Sequence, residues 1–142
     1  MKLLYLIISI SYLFTIGCHD SNTNSKSKRV ATIDYEMYGC FGSRQATISL
    51  NKTDDILLAE MIVDGKEKSV TKMDSVKMIE FERFISGLRK VGIGGCTTEE
   101  RYEVTYKNER IVRKDGQCEW DGFSKLTQSL FGNPKRVLIS LK

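Results

Sequence analysis

Histidine is almost missing from this chain of 142 residues; the only one is His19. It lies in a polar stretch, 19–29, ahead of any strand or helix pattern, so nothing holds it within hydrogen-bond reach of a nucleophile. Ser-His-Asp and Cys-His catalytic arrangements are thereby excluded, as are histidine metal sites. Proline is equally scarce, Pro134 alone, and there is no low-complexity segment, which points to a compact domain. No Cys-x-x-Cys occurs, so a thioredoxin-like redox site is not expected. Ser43 lacks the Gly-x-Ser-x-Gly setting of a nucleophile elbow, and no Gly-Lys-Ser/Thr completes a phosphate loop. Cations are not concentrated on any element, which argues against nucleic-acid binding. The formal charge of +4 drains into the N-terminal segment, since residues 31–142 hold 18 basic and 17 acidic side chains.

What the chain does have begins at its N-terminus. Lys2 precedes an apolar run over 3–16, which closes on Thr15-Ile16-Gly17-Cys18 and gives way to His19, Asp20 and a Ser/Asn/Lys-rich stretch. The run is shorter than the ~20 residues of a bilayer-spanning helix and suits the core of a cleaved signal. No later stretch approaches ~18 consecutive apolar residues, so no transmembrane helix is expected beyond it. A charged start, a short apolar core, small residues and a cysteine resemble the signal and lipobox of a bacterial lipoprotein. Thr15 stands where that family usually carries an aliphatic residue.

The resemblance implies cleavage behind Gly17, a diacylglycerol on the Cys18 sulfur and a further acyl chain on its nitrogen. Two or three chains anchor a protein stably where one does not. The lipid membrane is then the first partner and the cell envelope the address. His19 in place of aspartate after the cysteine favours the outer membrane over the inner. An ordinary secretory signal is the alternative, since Thr15 and Gly17 also satisfy the small-residue rule at the cleavage site. The organisation expected is a signal over 1–17, a flexible tether over 18–30 and a single domain over 31–142.

Lipidation leaves Cys40, Cys96 and Cys118; an ordinary signal leaves all four cysteines. Either compartment is oxidising, so at least one disulfide is expected. Cys96 and Cys118 flank one hairpin, and joining them staples its open end, for about 3 kcal/mol. Cys40 with either partner is the other pairing.

Periodicity supplies the fold. Apolar and polar residues alternate over 30–37, and the Gly39-Cys40-Phe41-Gly42-Ser43 stretch interrupts them. Ala46, Ile48 and Leu50 form a second strand, with a turn over 51–55. Residues 56–63 form a strongly apolar third strand, and Asp64-Gly65 is a tight hairpin signal. Residues 66–71 then read as a polar edge strand. From Asp74 or Ser75 to Val91 the period becomes helical, with Met78, Phe81, Ile85, Leu88 and Val91 on one stripe. Arg89 and Lys90 are placed in its last turn, where cations suit the helix dipole. Tyr102, Val104 and Tyr106 alternate before Asn108, and Ile111-Val112 completes a second hairpin. Phe123, Leu126, Leu130 and Phe131 define a short amphipathic helix that Gly132-Asn133-Pro134 ends, and 137–141 reads as a last strand. The expectation is α+β: a small antiparallel sheet of about five to seven strands with one long and one short helix packed on it.

Functional signals are thinner. Asp54-Asp55 and Glu99-Glu100 are adjacent acids at strand ends, where solvated carboxylates are ordinary. Trp120 lies between Glu119 and Asp121 beside Cys118. It is either a recognition anchor or a core residue on a Cys96–Cys118 bridge, with Asp121 capping the helix. Cys40 is read as a structural bridge or buried thiol, with a reactive or intermolecular cysteine as the other reading. Phe41, Arg44 and Trp120 are the candidate binding surface. No catalytic residue, metal site or cofactor is assigned. The function expected is a tethered, non-enzymatic binding domain (an inhibitor, immunity factor or accessory subunit) whose partner is another envelope or periplasmic protein. A small envelope hydrolase using Asp or Glu is the competing class.

Overall fold

Four strands follow one another through short turns: β1 (Lys28–Gly39), β2 (Gly42–Thr53), β3 (Ile56–Val63) and β4 (Glu67–Lys72). Helix α1 (Ser75–Leu88) leads to a hairpin, β5 (Glu99–Tyr106) and β6 (Glu109–Asp115), and helix α2 (Gly122–Phe131) follows. This computed structural model describes residues 27–40, 42–92, 94–95, 97–116 and 120–132. Cys18, His19, Phe41, Cys96, Cys118, Pro134 and the strand expected over 137–141 lie outside the described residues, as does the signal.

The six strands form one sheet in the order β4-β3-β2-β1-β5-β6, every neighbouring pair antiparallel. The α+β class is therefore the architecture observed. Consecutive hairpins build β1 to β4 outward in one direction, and β5 then pairs with β1 on its other side. The chain has to return past β3, β2 and β1 between them, and α1 does this. At its start, Lys77 donates to the Thr71 hydroxyl and the Lys72 carbonyl of β4. In its second half, Glu82 accepts from Tyr106 of β5, and just beyond its end Arg89 pairs with Glu109 of β6. A helix of 14 residues is ~21 Å long, close to the ~24 Å that separates the outer strands of a six-stranded sheet.

The face under the helices is the core. Ile33, Ile48, Val104 and Ile111 stand in one lateral row, with Ala46, Tyr35 and Tyr102 in the next. Phe81, Phe84, Ile85 and Leu88 of α1 and Phe123, Leu126 and Leu130 of α2 close over them, all buried. Phe84 belongs to this layer although it lies beside the expected stripe, because α2 and the sheet together meet α1 over a wide arc. Met78 and Val91 pack at the margin of the core.

Local chemistry accounts for the element ends. Asp74 is extended and its side chain accepts from the Lys77 amide at 2.9 Å, an N-cap. The helix stops at Leu88 rather than Val91, because Lys90 and Val91 donate back three residues, to Gly87 and Leu88, and tighten the chain into a turn. Arg89 and Lys90 thus lie past the helix. The interruption expected over 39–43 is shorter than read, with β1 running to Gly39 and β2 resuming at Gly42. Likewise β2 continues to Thr53, so only Asp54 and Asp55 form the turn before β3. Asp64 and Gly65 both take the left-handed conformation, with φ 49° and 68°. Asp64 also accepts from the Gln45 amide through its carboxylate and donates its own amide to the Gln45 carbonyl, fixing the hairpin beside β2.

Ile33 is fully buried in the central strand, so Ile33→Ala should cost about 2–5 kcal/mol through lost transfer energy and a residual cavity. Val112→Ala, on the uncovered face of an edge strand, should stay within about 0.5 kcal/mol of the parent. Urea unfolding of the two variants checks this difference.

Candidate functional site

Among the described residues singled out in the sequence, Cys40, Arg44, Glu99, Glu100 and Trp120 lie toward one end of the sheet. The β1–β2 turn carries Cys40, and Tyr38 of β1 is paired laterally with Ser43 on one side and Glu99 on the other. On the helix-covered face the outermost row runs Arg44, Met37, Glu100, Asp115. Thr98 packs against Gly39, its hydroxyl 3.2 Å from where a Cβ would stand there. The backbone of Gly94 lies so close to Gly116 that a Cβ on the latter would meet the Gly94 carbonyl at 2.5 Å. Cys40 is an exposed, free thiol, which replaces the expectation of a buried one.

Glu99 and Glu100 do not act as a pair. Successive strand residues point to opposite faces, so Glu99 reaches outward to Lys114 at 2.7 Å while Glu100 turns inward. There its two oxygens accept from two phenols, Tyr35 at 3.0 Å and Tyr102. Asp115, buried, faces Glu100 directly across the ladder. Burial first, and then the Glu100 charge, push both phenols well above the ordinary tyrosine range. The tyrosines are therefore fixed donors rather than bases or nucleophiles, and the cluster clamps β1 to β5. Sequence reading passed it over because its members lie 65 residues apart in the Tyr35–Glu100 bond.

Trp120 is part of the same end. Its ring packs on Phe84 at 5.4 Å and on Tyr102 at 5.1 Å, while Phe123 stacks on Tyr35 at 4.1 Å. The indole lies between two glycines. A Cβ on Gly87 would be in ordinary contact at 3.5 Å, whereas one on Gly122 would meet the ring at 2.2 Å. Half-buried Trp120 thus pins the start of α2 to α1. Asp121 occupies the N-cap position of α2 but makes no capping bond; it pairs with Lys125 at 2.8 Å. Arg44 is half-buried near Tyr35, and its charge opposes the rise of that phenol.

Among the described residues the other face of the sheet carries no helix. Ion pairs bridge neighbouring strands across it: Glu60 with Lys68 at 2.8 Å, Glu36 with Arg101 at 3.7 Å, and Glu103 with Arg110 at 2.8 Å. Thr47 donates to Asp34 at 2.8 Å between β2 and β1. The Arg110 hydrogen bond holds the Glu103 carboxyl below its ordinary range. Among these polar groups stand large apolar side chains, Tyr38, Ile56 and Val112, 46%, 46% and 39% exposed. Half-buried Leu58 and Ile62 lie on the same face. Exposed pairs of this kind contribute ~0–1 kcal/mol each, so they pattern the face rather than hold the fold.

Two open cavities lie among the described residues. One, of about 340 Å³, lies between α1 and the β5–β6 hairpin. Its charges are already matched, Glu82 with Lys107 and Tyr106, Arg89 with Glu109. The Tyr106 and Lys107 bonds keep the Glu82 carboxyl below its usual range. The second, about 570 Å³, lies between β4 and the end of α2. Among the described residues no group of three or more His, Cys, Asp or Glu side chains is placed to hold a metal ion. Nor is any helix among them long and apolar enough to cross a membrane. No family model, curated protein or solved structure matches the chain.

Two outcomes follow from this end of the molecule. Unfolded tyrosines ionise near pH ~10, whereas Tyr35 and Tyr102 stay protonated in the fold. Their contribution is intact below that pH and is lost above it, as the unfolded chain sheds its protons first. Tyr102→Phe should therefore reduce the alkaline loss of stability by about 1.4 kcal/mol per pH unit, measured by urea unfolding above pH ~10; an unaltered slope counts against the clamp. Gly122→Ala should destabilise by about 1–3 kcal/mol and red-shift the emission of the single tryptophan, although helix propensity alone favours alanine by ~1 kcal/mol.

Proposed function

We propose that this chain is a lipid-anchored lipoprotein of the bacterial cell envelope, held through acylated Cys18, whose folded domain is a non-enzymatic protein-binding module. Its partner is another envelope or periplasmic protein, and the domain serves as an inhibitor, an immunity factor or an accessory subunit. The observation that carries the binding reading is the uncovered sheet face. It is broad, electrically balanced by ion pairs between strands, and interrupted by exposed Tyr38, Ile56 and Val112. Apolar side chains within a polar surround are the composition of non-obligate interfaces.

The anchor rests on the lipobox-like Thr15-Ile16-Gly17-Cys18 and the polar stretch behind it. Residues 18–27 precede β1, and such a polar linker spans ~17 Å on average. β1 enters the sheet at the tethered end and, at ~3.3 Å per residue over 12 residues, carries the Cys40 turn ~40 Å away. The uncovered face and the distal turn are thereby both within reach of a partner beyond the headgroups.

Intact mass of the mature protein tests the anchor. An acyl addition at an N-terminal Cys18 is expected, and an unmodified Cys18 engaged in a disulfide would contradict it. Crosslinking in envelope fractions tests the module. Val112→Asp, on the uncovered face, should lower partner capture at least ~10-fold at unchanged stability, while Ile79→Asp on the outer side of α1 should leave capture intact.

A further inference from the structure

The β5–β6 hairpin fixes which backbone groups of β6 are unpaired. Its two-residue turn, Lys107-Asn108, is left-handed at both positions, with φ 50° and 63°. In such a turn the flanking pair, Tyr106 and Glu109, exchanges both of its peptide hydrogen bonds, and the exchange recurs at every second pair. Glu109, Ile111, Arg113 and Asp115 therefore direct their peptide groups at β5, while Arg110, Val112 and Lys114 direct theirs outward. The Val112 carbonyl shows this direction, since the Arg113 guanidinium donates to it at 2.9 Å. β6 ends the sheet, and no strand stands beside it among the described residues.

The same three residues send their side chains to the uncovered face, opposite Thr105, Glu103 and Arg101. Val112 is exposed there between two cations, Arg110 and Lys114, each more than half exposed. The acids that pair with them, Glu103 and Glu99, belong to β5, so on this side the rim itself is cationic. Cations on an edge guard against indiscriminate pairing. A second copy is accordingly a poor occupant. Antiparallel pairing of two β6 edges at full overlap sets Val112 against Val112 and places Arg110 of each copy opposite Lys114 of the other, and like charges directly opposite destabilise. The β4 edge is less open, because Lys77 of α1 meets the Lys72 carbonyl and the end of α2 walls the groove beside Ser69, Val70 and Thr71.

We propose that β6 is the strand to which the partner adds. The occupant is an extended segment of a partner protein in which an apolar residue has an acid two positions away on either side. Its backbone takes up the outward peptide groups of Arg110, Val112 and Lys114, replacing the Arg113 guanidinium at the Val112 carbonyl. Its apolar residue covers Val112 and its acids face Arg110 and Lys114. This rests on the binding reading and names how that partner is held.

NMR of the isotope-labelled full chain, titrated with the blocked peptide Thr-Glu-Thr-Val-Thr-Glu-Thr, tests it. At saturation the Arg110, Val112 and Lys114 amides should exchange ~10-fold or more slowly than in the free protein, the factor of about one hydrogen bond. Val112→Pro removes an outward donor and none from the ladder. It should weaken the peptide at least ~10-fold while the Ile33 and Val104 amides keep their protection. N-methylation of the peptide's valine should weaken it likewise with the protein unchanged. No binding, equal binding of a peptide with lysine in place of both glutamates, or binding indifferent to N-methylation would overturn the proposal. So would shifts confined to β4, or outward β6 amides already protected in the free protein. Crosslinking in envelopes separates the edge from the face, and capture should be lost in both Val112→Asp and Val112→Pro. Capture lost in Val112→Asp but kept in Val112→Pro overturns strand addition alone; capture kept in both overturns the binding reading as well.

Discussion

Burial of one face of a six-stranded sheet is the constraint from which the rest of the molecule follows. Ala31, Ile33 and Tyr35 of β1, with Ala46, Ile48 and Leu50 of β2, cannot be hidden by the sheet itself, and two helices cover them. Each fully buried Ile or Leu among them is worth ~1.5–3 kcal/mol relative to exposure, more than a typical surface ion pair. The helices therefore stay on that face, and the opposite face is left to water. β3 shows the tension this creates, being apolar on both sides. Its outward Leu58 and Ile62 lie opposite Lys72 and Lys68, whose aliphatic stems can cover them while the amines stay wet.

The second consequence concerns connection. β1 lies between β2 and β5, so the strand that arrives first in the sequence waits for a neighbour some 70 positions later. Such long-range pairing carries a high loop-closure cost and calls for a specific lock. The Tyr35–Glu100–Tyr102 cluster supplies it, joining β1 to β5 through a carboxylate that both phenols satisfy. Trp120 extends the lock to the helices by wedging between Gly87 and Gly122, so sheet, α1 and α2 meet at one end of the domain. The Cys40 turn and Arg44 are at that end too.

Most of the fold was legible in the sequence because its elements are locally patterned. β3 is bounded as read, over 56–63, since Asp54-Asp55 and Asp64-Gly65 punctuate it. The amphipathic stripe of α1 announces its buried residues, and Asp74 its start. What was not legible is whatever depends on non-local geometry. The alternation in β5 gives no sign that its partner is β1 rather than β4. Glu99-Glu100 reads as an acidic pair, yet the pleat sends the two carboxylates to opposite faces and gives each a different partner. Trp120 reads as a packed residue ahead of a recognition anchor, but the sequence does not show that Gly87 and Gly122 are what it packs between. The end of α1 was missed because Lys90 and Val91 have helical composition and yet donate in a tighter turn.

For function, the same one-sided burial separates a structural half from an available half. The helix-covered side spends its polar groups on internal bonds, whereas the uncovered face presents Tyr38, Ile56 and Val112 amid paired charges. Carbene footprinting with mass-spectrometric readout, comparing the protein in intact envelopes with the purified full chain, tests this division most directly. Labelling of Tyr38, Ile56 and Val112 should fall several-fold in envelopes while Val76 and Ile79 on α1 label equally in both states. Equal labelling of the uncovered face in the two states, or protection confined to Val76 and Ile79, would contradict the account.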